Sequence, residues 1–71
     1  MLMKSHTDEY IENVIHKILG SRPYRAVELR ILLKDKGIMI SYGRLKRILQ
    51  EMVSSGKIKC KTEGTSIVYY V

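Results

Sequence analysis

The sequence contains no Trp and no Phe, and its only aromatic residues are five Tyr. A core built without those two rings is aliphatic, drawn from Ile, Leu, Val and Met. Proline occurs once, at Pro23 in "GSRP", where it reads as a breaker between helices. Cysteine also occurs once, at Cys60, which excludes an internal disulfide and suits a reducing compartment. No apolar run approaches the ~18 residues that a membrane span needs. The opening "MLMKSH" is too short and polar for a signal peptide, so the expected location is intracellular, with no membrane partner. His6, His16 and Cys60 are too few and too scattered for a structural zinc site, which takes about four ligands. Phosphate-binding glycine spacing is missing, and Ser41 has no base beside it in sequence. The chain therefore reads as a protein without catalytic residues, metal, cofactor or small-molecule ligand.

Acidic residues are scarce as well, 7 against 13 Lys+Arg in 71 residues, for a net charge of +6. The imbalance is uneven. Residues 1–20 sum to −1, with Lys4 and Lys17 against Asp8, Glu9 and Glu12, whereas residues 21–40 sum to +3 and residues 41–71 to +4. A basic surface confined to one part of a small domain is the electrostatic footprint of a polyanion binder. The length allows one domain over residues 1–71, and such a chain buries only about 60% of its unfolded surface.

Hydrophobic spacing predicts three helices followed by a hairpin. Ser5 and Thr7 are candidate N-caps, with Asp8 and Glu9 placed to suit the positive end of a helix dipole. Ile11, Val14, Ile15, Ile18 and Leu19 then mark one face of a helix over 8–19, ending at Gly20. After a short extended Tyr24–Arg25, Ala26, Leu29, Leu32 and Leu33 mark a second helix to about residue 36, with Gly37 as its stop. Ile38 and Ile40 are expected to fill the space between helices. A third helix over 42–55 starts at Ser41, buries Leu45, Ile48, Leu49 and Met52, and stops at Gly56. The period then changes to two: Lys57, Lys59 and Lys61 alternate with Ile58 and Cys60, and "SIVYYV" is β-branched and aromatic. A Glu63–Gly64 turn would pair Cys60 with Ile67 and Ile58 with Tyr69, all four facing the core. A bulged turn with another register stays open. Residues 1–6 are then an N-terminal extension, 7–56 a three-helix core and 57–71 a hairpin.

The order of these parts in "YRAVELRILLKDKGIMISYGRLKRILQEMVSSGKIKCKTEGTSIVYYV" resembles a winged-helix domain, an α+β fold with a three-helix helix-turn-helix core and a C-terminal β-hairpin wing. "LKRILQEMVSSGKI" is similar to the end of the recognition helix in small archaeal and archaeal-virus transcription regulators. The resemblance implies double-stranded DNA as partner, with the third helix in the major groove and the wing on the backbone.

The residues support that reading independently. With the apolar stripe turned inward, Gly43, Lys46, Arg47 and Gln50 fall on the far face and Arg44 to one side. Gly43 would allow close approach, Arg47 could fork onto guanine, and Gln50 could pair with adenine. Ser41 and Tyr42 at the helix start could meet phosphate, and Arg44 could contact either phosphate or a base edge. Lys57, Lys59 and Lys61 would neutralise phosphates from the wing, and Arg22 and Arg25, which precede the second helix, could take a phosphate role or be plainly solvated. Plainer readings stand next to these. The α-helical cations could be a solvated face, the wing lysines a guard against edge-to-edge pairing, and Cys60 a small buried hydrophobe or an intermolecular disulfide partner. The function is read as transcriptional regulation. The alternatives are a protein-interaction module, marked by an exposed apolar patch, and a nonspecific architectural DNA binder. A homodimer is expected, with Met1, Leu2 and Met3 as a candidate interface, because one small module reaches only a short half-site.

Overall fold

The computed structural model describes residues 7–71. The extension 1–6, with the Ser5 cap and the Met1–Leu2–Met3 interface, lies outside the described residues. The first helix, α1 (Asp8–Leu19), starts where Thr7 Oγ1 accepts a hydrogen bond from the Tyr10 amide at 3.1 Å. Ile11, Ile15 and Leu19 are buried one turn apart, and Val14 and Ile18 pack against them. Pro23 is followed by a two-residue strand, β1 (Tyr24–Arg25), which leads directly into α2 (Ala26–Asp35). Glu28 secures that junction by accepting the Arg25 amide at 2.8 Å, so one carboxylate satisfies a backbone donor that the helix leaves unpaired.

The ends of α2 and of α3 (Tyr42–Ser54) are built alike. Gly37 and Gly56 lie at φ +84° and +81°, the left-handed region that only glycine enters cheaply. At the first, the Ile38 amide donates to Leu33 and the Gly37 amide to Lys34; at the second, the Lys57 amide donates to Met52 and the Gly56 amide to Val53. Each motif turns the chain sharply and sends a buried isoleucine, Ile38 or Ile58, back into the core. The expected helix limits hold to within a residue at their C-terminal ends, and α3 buries the four predicted residues Leu45, Ile48, Leu49 and Met52. Ile38 and Ile40 are buried between the helices as expected.

The hairpin consists of β2 (Lys59–Glu63) and β3 (Ser66–Tyr70), and β1 adds a third strand, giving the antiparallel order β1-β3-β2. Its register corrects the expectation. Cys60 pairs with Tyr69, Thr62 with Ile67 and Glu63 with Ser66, so the turn is Gly64–Thr65 rather than Glu63–Gly64. The cause is turn chemistry. Gly64 takes a positive φ of 62° at the first turn position, which two-residue hairpins reserve for a residue such as glycine and which suits glutamate badly. The parity of the faces survives this shift, but core burial does not extend along the wing. Ile58 and Tyr69 belong to the core, whereas Cys60, Thr62 and Ile67 are exposed. Cys60 is therefore not a buried hydrophobe: it is exposed on β2, an edge strand of the sheet.

Candidate nucleic-acid interface

The exposed side of α3 is set by its buried side. Ser41 caps the helix, its Oγ accepting the Arg44 amide at 3.2 Å. Tyr42, Gly43, Arg47 and Gln50 are exposed, while Arg44 and Lys46 are half-buried at the two flanks. Lys46 leans toward the wing, with Nζ 5.9 Å from the centre of the Tyr42 ring, and shares a shallow groove with Tyr42, Thr65 and Ile67. A Cβ on Gly43 would meet nothing within 4 Å, and its φ is not positive, so neither packing nor backbone conformation calls for glycine there.

The opposite flank meets α1. Asp8 Oδ1 accepts from Arg44 Nη2 at 2.7 Å and Asp8 Oδ2 from Arg47 Nη2 at 3.4 Å. Arg47 Nη1 also reaches Glu51 Oε2 at 3.2 Å. The hydrogen bond from Arg44, followed by the charges of Arg44 and Arg47, holds the Asp8 carboxyl below its usual range. The bond to Glu51 and the charge of Asp8 raise Arg47 further above its already high value.

Superposed on a solved chain of HOP2, from work on its DNA recognition and protein interaction domains and its homologous DNA pairing properties, the structure matches with a TM-score of 0.73 at 27% identity, covering 86% of this chain and 97% of that chain. The fold is a winged helix. No family model and no curated protein matches the sequence.

In this winged helix the basic residues singled out from sequence do not share one surface. Lys57 precedes β2 and binds Glu12 of α1 at 2.7 Å, and that bond raises its pKa above the usual lysine value. Side chains alternate along a strand. The Ile67–Tyr69 face of the sheet borders α3, so Lys59 and Lys61, opposite Tyr70 and Val68, lie on the other sheet face. Lys61 extends over the Tyr70 ring at 5.5 Å and lies 3.6 Å from Glu63. Arg25, opposite Val68 on the same row, is 3.7 Å from Glu28. Arg22 covers the Tyr24 ring at 4.6 Å. The basic residues thus divide among α3, the α1 side where Lys57 is held, and the outer sheet face of Lys59 and Lys61, while Arg25 also lines the groove shared with Tyr42 and Lys46.

Two features were not read from the sequence. Asp8 was assigned only to the helix dipole and Glu12 only to the charge balance of residues 1–20, yet they hold three of the expected DNA-contacting cations. The one available signal was the opposite charge of residues 1–20 and 41–71. The second feature is apolar: Ile31 and Met39 are 61% and 72% exposed and line a shallow cleft with Arg30, Lys34, Ile38 and Ile40. Among the described residues there is no group of three metal-ligating side chains, and no helix is long and apolar enough to cross a membrane.

Proposed function

We propose that this winged helix binds double-stranded DNA, with α3 entering the major groove, and acts inside the cell as a transcriptional regulator rather than an enzyme. The observation that carries the reading is the open face of α3. Gly43, Arg47 and Gln50 are exposed together, the core uses none of them, and the small residue leaves room for a close approach by the helix. The likeness to HOP2, described by its DNA recognition, supports DNA as the ligand, and the similarity to small transcription regulators supports the role. A homodimer on two half-sites completes the proposal, since a single module contacts few base pairs.

The test is a titration of the protein on selected and on random duplexes across a range of salt concentrations. Tighter binding to the selected duplex, with affinity falling linearly on a log–log salt plot, is expected. Equal binding to both would leave an architectural DNA binder. The absence of binding to either would favour a second reading, a protein-interaction module, for which the exposed Ile31 and Met39 patch is the supporting observation.

A further inference from the structure

We infer that Arg44 and Arg47 form one phosphate-binding cleft that the Asp8 carboxylate occupies until DNA replaces it. The inference rests on the DNA-binding reading and deepens it. Arg44 and Arg47 are three residues apart on α3, so they project from one face. Each guanidinium group donates to a different oxygen of Asp8, at 2.7 and 3.4 Å, and Arg47 uses its other terminal nitrogen for Glu51 at 3.2 Å. A phosphodiester presents the same kind of paired, charged acceptor oxygens, and guanidinium donors suit both. The site is open to a ligand, for the side chains of Asp8, Arg44 and Arg47 are each more than a third exposed. Asp8 is held next to the arginines by the first turn of α1, so it competes as a tethered counterion.

This assigns Arg47 to the DNA backbone. Base reading on α3 then falls to Gln50 and to Tyr42 on the wing side. It also makes Asp8 a brake on affinity. An exposed ion pair of this kind is worth little, so the expected gain on removing it is roughly two- to fivefold. Long-range charge alone would give some gain. Glu9 is the internal control, because it sits in the same first turn and carries the same charge, and the cation it acts on is Lys57 rather than Arg44 or Arg47.

The experiment compares wild type, Asp8→Asn, Glu9→Gln and Arg47→Ala on the selected and random duplexes at one salt concentration. Asp8→Asn should bind both duplexes roughly two- to fivefold more tightly than wild type and more tightly than Glu9→Gln. Arg47→Ala should lose affinity for both by a similar factor. In wild type, the Asp8 carboxylate 13C resonance should move on adding duplex, together with the Arg44 and Arg47 side-chain 15N resonances. Equality of Asp8→Asn and Glu9→Gln, a loss by Arg47→Ala confined to the selected duplex, or an Asp8 resonance that does not move would each overturn the cleft. If no variant binds any duplex, the DNA-binding reading itself falls and the cleft with it.

Discussion

Gly43 separates the demands of folding from those of binding at a single residue. It occupies the second position of α3, in open space and at an ordinary φ, where alanine would be the better helix former. Gly43→Ala should therefore raise stability, by up to about 1 kcal/mol, and should weaken binding to DNA because the added methyl stands between helix and groove. Urea unfolding and a duplex titration on the same variant check the two signs. A variant both more stable and equally tight-binding would leave Gly43 without a role in approach. Asp8 gives a second residue-scale expectation, through pH. Its pKa is lowered from the ordinary 3.8, chiefly by the Arg44 hydrogen bond. A depressed carboxylate favours the folded state above its unfolded pKa, and that contribution disappears as pH falls through the lowered folded value. The stability difference between wild type and Asp8→Asn should therefore be present at neutral pH, begin to shrink near the ordinary value of 3.8 and vanish only below the lowered folded value. Urea melts across the acid range read it directly. The charges of Asp8, Arg44 and Arg47 were legible in the sequence, but their meeting was not. Residues 36 and 39 positions apart are brought together by the packing of α1 on α3, which no local pattern encodes.

The elements differ in how openly the sequence states them. Apolar residues spaced by three and four gave all three helices, because burial on one side leaves a period that survives exposure of the other. Gly37 and Gly56 gave two helix ends for a stricter reason, since each holds a left-handed backbone that a side chain resists. Gly56→Ala should accordingly lower stability by about 1–2 kcal/mol, a sign opposite to that of Gly43→Ala, and the same urea melts compare them. The wing was harder to read. Alternation fixed which residues share a face, but the pairing partner depended on whether Glu63 or Gly64 opens the turn, and the extent of burial depended on how far the helices reach along the sheet. That second quantity decides the role of the lysines. Lys46 borders the groove between α3 and the wing, while Lys59 lies on the sheet face turned away from α3. Lys46→Ala should weaken binding to any duplex and flatten the log–log salt slope by about one unit. Lys59→Ala should change both by less. Equal effects would mean that the DNA backbone also passes along the outer sheet face.

Over the whole molecule, charge and apolar surface point in different directions. The excess positive charge favours DNA in general and contributes to affinity on any sequence, but selectivity needs more base contacts than one short helix face supplies. Two-fold pairing of identical modules meets that need without adding chain length, and it fixes a geometry: half-sites about one helical turn of DNA apart, so that both copies of α3 enter the groove from one side of the duplex. Candidates to hold such a pair are Met1, Leu2 and Met3, read from the sequence alone, and Ile31 with Met39, exposed among the described residues. Sedimentation should show two 8.2 kDa chains per duplex when the half-sites are about 10 base pairs apart, and one chain when the spacing is changed by about half a turn. Met39→Lys and a chain lacking residues 1–3 then locate the contact. Loss of the second chain in the first variant places it at the α2–α3 turn, and loss in the other places it at the extension. A single chain on every spacing in wild type would exclude the dimer, and selectivity would then have to come from one copy of Tyr42 and Gln50 alone.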